Sequence, residues 1–193
     1  MVALGSLFVC LSDATLITHR GPRDACDGVQ LVLTALRGQL FALLSSDESI
    51  RATAFVWHGL GFYWARTCGM YTVGELSIPG PSQELQAHWH RWRTLETQKR
   101  AILGHYVLDG LISQTSGSPT SARHLISSLP TASSDAAFQA TTADEWLKHM
   151  QQPLAYLPSV LFSEVYVSIF SPTYRTYPLN LSSFSIFVVI EGL

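Results

Sequence analysis

The stretch from residue 91 to 110, "RWRTLETQKRAILGHYVLDG", restricts the fold more than any other part of the chain. Its apolar residues recur at three- and four-residue steps, the spacing of a helix. At about 100 degrees per residue from Trp92, Leu95, Ile102, Leu103, Tyr106 and Val107 all fall within about 80 degrees of one direction. Glu96, Lys99 and Arg100 fall in the same sector. Glu96 and Arg100 are four apart with the acid first, the favourable order for a helical pair. On a surface such a pair contributes only about 0.3–0.5 kcal/mol. Inside an apolar sector it is partly desolvated, needs further hydrogen-bond partners, and marks a polar junction between helices. Asp109, nine residues beyond Arg100, lies on the opposite side and would find any partner on another helix.

At 193 residues, 47% hydrophobic and 13% charged, the chain suits one domain whose surface is short of charge, about half the usual content. No apolar run reaches the roughly 18 residues of a spanning helix, so no membrane partner is expected. The N-terminal "MVALGSLFVCLSDATL" has no positive leader region and reads as a buried helix. Cys10, Cys26 and Cys68 form no CxxC pair, so neither a disulfide framework nor a zinc ribbon is indicated. A net charge of -2 argues against a grip on a phosphate backbone, so direct nucleic-acid contact is not expected.

Helical periodicity predicts a helix after Asp24, through Val29, Val32, Leu33, Leu36, Leu40, Leu43 and Leu44. Ser46 or Asp47 caps a second, "ESIRATAFVWHGLGFYWARTCGMY", apolar on most faces and therefore central. A Gly- and Pro-rich connector follows, and then the charged helix, expected from about Ser82 to about Ser116. From residue 116 to 141 the composition is that of a linker, but Leu125, Ile126, Leu129 and Phe138 indicate an ordered loop over a core. Thr142 and Glu145 form a capping box for a short helix. Strands are conceivable only in "EVYVSIF" and "FSIFVVI".

Few residues invite chemistry. His88 and His90, two apart on a helix, point about 200 degrees from each other and cannot chelate one metal ion. His105 and Asp109 have the spacing of a His–carboxylate dyad, but no nucleophile motif accompanies them and a local hydrogen bond is expected instead. His58 reads as a core histidine with one satisfied nitrogen, Cys68 as buried and inert, and Phe62-Tyr63-Trp64 as core. No catalytic, cofactor-binding or metal-ligating set emerges.

Trp92, Glu96, Lys99-Arg100, Tyr106 and Leu108-Asp109 resemble, in order and spacing, the signature of the fungal-specific transcription factor domain. That all-helical region, also called the middle homology region, lies beside the zinc fingers of fungal regulators. His58, Ala65, Arg66, Gly69 and Met70 are similar to its preceding helix. Pro119, Leu129-Pro130, Phe138, Ala140 and Trp146 resemble the subset linked to Cys-Cys-His-His fingers. Lys99 stands for a frequent Arg, Tyr106 for Phe, Phe138 for Trp, and Arg93 for an aliphatic residue.

The resemblance spans about residues 28 to 193 and implies an all-α, irregular multi-helix regulatory domain, incomplete at its C-terminus. Residues 1–23 form a lead-in and 24–193 the partial domain. It implies a nuclear, non-enzymatic region that controls transcription by RNA polymerase II through contacts with other regulatory proteins or with missing parts of its parent chain, with homodimerisation open. Zinc belongs only to a DNA-binding module that this chain lacks. The motif residues Arg66, Trp92, Glu96, Lys99, Arg100, Tyr106, Asp109, Pro119, Pro130 and Trp146 are expected to be structural. The alternative is a helical domain that binds a small effector between its second and third helices.

Overall fold

The computed structural model describes residues 25–72, 84–122, 128–151, 160–171 and 181–192. The N-terminal lead-in, the 73–83 connector, Leu125 and Ile126 lie outside them. Helices take up 73% of the described residues and no strand occurs among them, so the fold is all-α. Their order is α1 (Ala25–Leu43), α2 (Glu48–Val56), α3 (Leu60–Thr67), α4 (Leu85–Ser116), α5 (Asp135–Gln139), α6 (Ala143–Met150), α7 (Phe162–Phe170) and α8 (Ser183–Glu191).

The Asp47 carboxylate accepts the Ser49 and Ile50 amides at 2.9 and 3.4 Å and starts α2. The expected single helix through Met70 divides at residues 57–59. Two side chains divide it by taking backbone carbonyls there. His58 donates Nδ1–H to the Phe55 carbonyl at 2.7 Å, and the Gln39 amide donates to the Trp57 carbonyl. α3 closes on Gly69, whose φ of 67° only glycine adopts freely. The Met70 amide then returns to the Ala65 carbonyl at 2.8 Å, the wrap that satisfies a helix end.

α4 is the axis of the fold. Beyond Glu96 nearly every turn is buried on all sides, with Ile102, Leu103, His105, Tyr106, Leu108, Asp109 and Ile112 at most 3% exposed. It is therefore a central helix rather than an amphipathic surface one. α1 crosses it at Gly104 and His105, α3 brings Phe62 edge-on to Tyr106 at 4.9 Å, and α7 brings Phe162 to the same ring at 5.8 Å. The stretches "EVYVSIF" and "FSIFVVI" are helical, in α7 and α8. Alternation of apolar and polar residues does not govern them, because each buries one side and exposes the other. Among the described residues extended pairing is limited to one antiparallel bridge between Pro130 and Leu161, flanked by bonds between the Thr131 amide and Val160 carbonyl (2.9 Å) and the Phe162 amide and Leu129 carbonyl (2.8 Å).

Two buried clusters result. The main core gathers Val32, Phe62, Leu103, Tyr106, Phe162, Val165 and Val188 from α1, α3, α4, α7 and α8. A smaller core packs Trp89 and Trp92 of α4 against Ala137, Ala140, Ala143 and Trp146, from α5, α6 and the turn between them.

α8 approaches α4 so closely at Gly110 that a Cβ there would stand 2.5 Å from the Glu191 carbonyl oxygen. At Gly104 a Cβ would meet only the mobile end of Leu36. Gly110→Ala is expected to lower stability by about 1–3 kcal/mol through overpacking against backbone. Gly104→Ala should stay within about 1 kcal/mol of the parent, the helix-propensity gain offsetting the Leu36 adjustment. Urea unfolding of the two variants checks the contrast.

Candidate functional site

The charges of α4 meet at one carboxylate. Glu96 is 2% exposed, and its two oxygens accept four hydrogen bonds. Arg100 Nε reaches Oε1 at 2.9 Å and Lys99 Nζ reaches Oε2 at 2.8 Å. The Ser133 amide also bonds Oε1 at 2.9 Å, and the Ser133 hydroxyl bonds Oε2 at 3.0 Å. Burial pushes the Glu96 carboxyl up, but the charge and hydrogen bond of Lys99 and those of Arg100 together outweigh it. The group is held below the ordinary carboxylate range.

Both cations reach onward. Lys99 donates to the Thr131 carbonyl at 3.2 Å, and Arg100 Nη2 donates to the Ser133 carbonyl at 2.8 Å and to Asp135 Oδ1 at 2.9 Å. Residues 131–135 are thus laid along α4 by its side chains. The same stretch holds α8. Ser185 Oγ accepts the Ala132 amide at 3.0 Å, Ser182 Oγ donates to the Ala132 carbonyl at 3.3 Å, and Asp135 Oδ2 accepts the Phe184 amide at 3.3 Å. The Arg100 guanidinium lies 4.2 Å from the Phe138 ring centre and 5.1 Å from that of Phe184. Phe138 packs on the tryptophan core and Phe184 on the main core, so Arg100 sits between the two.

Asp109 forms a second polar node. Its oxygens accept the Ser121 and Ala122 amides, each at 3.0 Å, and lie 3.7 Å from His58 Nε2. His58 donates Nδ1–H to Phe55, and its Nε2 faces Asp109 beyond hydrogen-bond distance. One nitrogen is satisfied, as expected, but the side chain is partly exposed rather than in the core. The His105–Asp109 bond does not form. His105 donates Nε2–H to the Val32 carbonyl at 3.0 Å, and its Nδ1 is buried without a partner. Burial drives its pKa down, against the opposing pull of the Val32 bond and of Asp109.

The motif residues therefore divide. Glu96, Lys99 and Arg100 converge, while Trp92 stacks at 5.5 Å on Trp146 in the smaller core. Tyr106 lies in the main core, and buried Pro130 forms the bridge to Leu161. Arg66 is exposed, over the Tyr71 ring at 5.6 Å, and Pro119 is exposed in the turn after α4, both away from the cluster. Phe62 and Trp64 belong to or pack on the main core, whereas Tyr63 is 56% exposed. Phe62 packs against the Tyr106 and His105 rings. Thr142 caps α6 as predicted, but Glu145 reaches the Thr141 amide at 2.8 Å rather than that of Thr142. Among the described residues no cluster of three or more His, Cys, Asp or Glu could hold a metal ion, and no helix is long and apolar enough to cross a membrane.

Sequence reasoning missed Ser133, Asp135, Ser182 and Ser185, which complete the junction. "SSD" at 133–135 reads as turn chemistry, and nothing in its spacing ties it to a helix more than thirty residues earlier.

Comparison with known proteins brought no match, whether among family models, curated proteins or solved structures.

Glu96→Gln leaves buried Lys99 without its counter-charge and Arg100 with Asp135 alone, and a loss of about 3–5 kcal/mol is expected. Ser133→Ala removes one bond to a charged acceptor and should cost about 1.5–3 kcal/mol. Denaturant unfolding measures both.

Acid should destabilise the fold in two stages. His105, ordinarily at 6.5, is lowered in the folded state, so unfolding takes up a proton as pH falls below about that value. Glu96, ordinarily at 4.5, is also lowered, and its contribution is lost as pH falls further. Each stage has a limiting slope of about 1.4 kcal/mol per pH unit, to be read from unfolding free energies between pH 8 and 3.

Proposed function

We propose that this chain is a regulatory region of a fungal-type transcription factor that does not itself contact DNA, and that it works in the nucleus through protein contacts without catalysis or a cofactor. The observation that carries the reading is the junction at Glu96. Three charged residues of the resembling motif lie in the apolar sector of α4 and serve there as a packing device, joining residues 131–135 and, through them, α8. A motif whose charges hold helices in register suits a domain whose output is its shape. The engagement of His58 and Asp109 with backbone groups accords with a non-enzymatic role. A zinc-bearing DNA-binding module would belong to another part of the parent chain, and partners would be other transcription regulators or that parent chain.

Fusion of the chain to an unrelated DNA-binding domain tests this at a reporter gene. The fusion is expected to shift transcription several-fold from the level set by the DNA-binding domain alone, and Glu96→Gln is expected to abolish the shift. Unchanged output from a fusion that accumulates normally overturns the reading.

A further inference from the structure

Two helices leave matching apolar stripes uncovered. On α1 and the residue that follows it, exposed Arg37, Leu40, Phe41 and Leu44 are spaced i, i+3, i+4, i+7, with the three apolar ones 43%, 51% and 76% exposed. On α8 the exposed residues Ser183, Ile186, Phe187 and Ile190 have the same spacing, with the apolar ones 46%, 47% and 58% exposed. Val167 and Phe170 of α7 are 50% and 70% exposed as well. The Tyr166 hydroxyl holds that helix to α8 through the Val189 carbonyl at 2.9 Å.

The charges beside the stripes are opposite. Arg37 is the cation of the first, while α7 and α8 carry only Glu164 and Glu191. Laid antiparallel, the two stripes put Arg37 beside Ile190 and Glu191, Leu40 against Phe187, Phe41 against Ile186, and Leu44 against Ser183. Asp47 and Glu48, which follow the α1 stripe, then fall near the N-terminal end of α8, where negative charge is favoured. A parallel arrangement would instead bring those acids toward Glu191. Pairing one α8 stripe with another would oppose a face that, among the described residues of α7 and α8, has carboxylates and no cation with its own copy.

The two stripes cannot cover one another within a chain. α1 lies against Gly104 and His105 of α4 and α8 against Gly110, directions about 120–140 degrees apart around that helix. We propose that copies of this chain associate head to tail, the α1 stripe of one lying antiparallel on the α8 stripe of the next. Each copy then has both a donor and an acceptor face, so the contact propagates into a chain or closes into a ring. Hydrophobic burial supplies the attraction, and the Arg37–Glu191 pair sets the direction.

Sedimentation velocity across a hundredfold concentration range provides the test, with circular dichroism confirming the helical content of each variant. The parent is expected to grow in size with concentration. Phe41→Asp and Phe187→Asp each spoil one stripe at a half-exposed position, and each alone should be monomeric. Mixed, they retain one intact α1 stripe and one intact α8 stripe between them and should form a dimer that grows no further. Arg37→Glu should weaken association roughly two- to fivefold. A parent that stays monomeric throughout overturns the proposal and leaves the stripes to another segment of the chain or to a different protein. Self-association retained in Phe41→Asp, or no dimer in the mixture, overturns it equally.

Discussion

A carboxylate 2% exposed to solvent is tolerable only where every lone pair is occupied and the charge is balanced, and the placement of Glu96 follows from that requirement. Lys99 and Arg100 satisfy half of it from the same helix. The other half must come from elsewhere, and the Ser133 amide and hydroxyl supply it. Once Ser133 is fixed, its neighbours are fixed too. Thr131 and Ser133 offer carbonyls to the two cations, Ala132 turns its amide and carbonyl to α8, and Asp135 links Arg100 to the start of α8. α8 thus meets the Glu96 network through residues 131–135 and through the Phe184 ring beside Arg100. Apolar residues of the same volume would give equal or greater stability at such a site, so the ionic arrangement earns its place through geometry. It admits one register of the 131–135 stretch against α4, whereas an apolar contact would tolerate several.

The same helix imposes a steric constraint. α3 and α8 come so close that side chains are missing where they touch. A Cβ at Gly61 would lie 2.1 Å from the His105 ring, and one at Gly110 would strike the backbone of Glu191. His105 fills the space left at Gly61, binds Val32 on α1, and carries an unpaired nitrogen as the cost of sitting there. Polar junction and glycine contacts divide the work, the first aligning a segment without regular structure and the second setting the distances between helices.

The all-helical class, the course of α1 and α4 and the caps at Asp47 and Thr142 were legible in the sequence, because each rests on local spacing. So was the anomaly of Glu96, Lys99 and Arg100, which needs only a helical wheel. The partners of those charges were not legible. Ser133 and Asp135 lie 37 and 35 positions from the residues they bind, Glu96 and Arg100, in a stretch whose composition is that of a linker. The division at residues 57–59 was hidden for the same reason, since one of the two side chains that take the carbonyls there, Gln39, belongs to another helix. The expected His105–Asp109 bond failed because each group found a backbone partner on a different element, and a tertiary contact overrode a correct local spacing.

Arg100 joins matters that would otherwise be separate. Its guanidinium neutralises Glu96, binds Asp135, and faces one aromatic ring from each buried cluster. The tryptophan core built on the first half of α4 and the main core built on the second therefore share a side chain rather than only a helix. A displacement of α5 or α6 that moves Phe138 must either drag the guanidinium from Glu96 or carry residues 131–135 with it. In both cases the N-terminus of α8 moves, because Asp135 and Ala132 hold it. The exposed stripe on α8 is the far side of that same helix. The smaller core and the N-terminus of α8 therefore meet at two side chains, Arg100 between the Phe138 and Phe184 rings and Asp135, the first residue of α5, on the Phe184 amide.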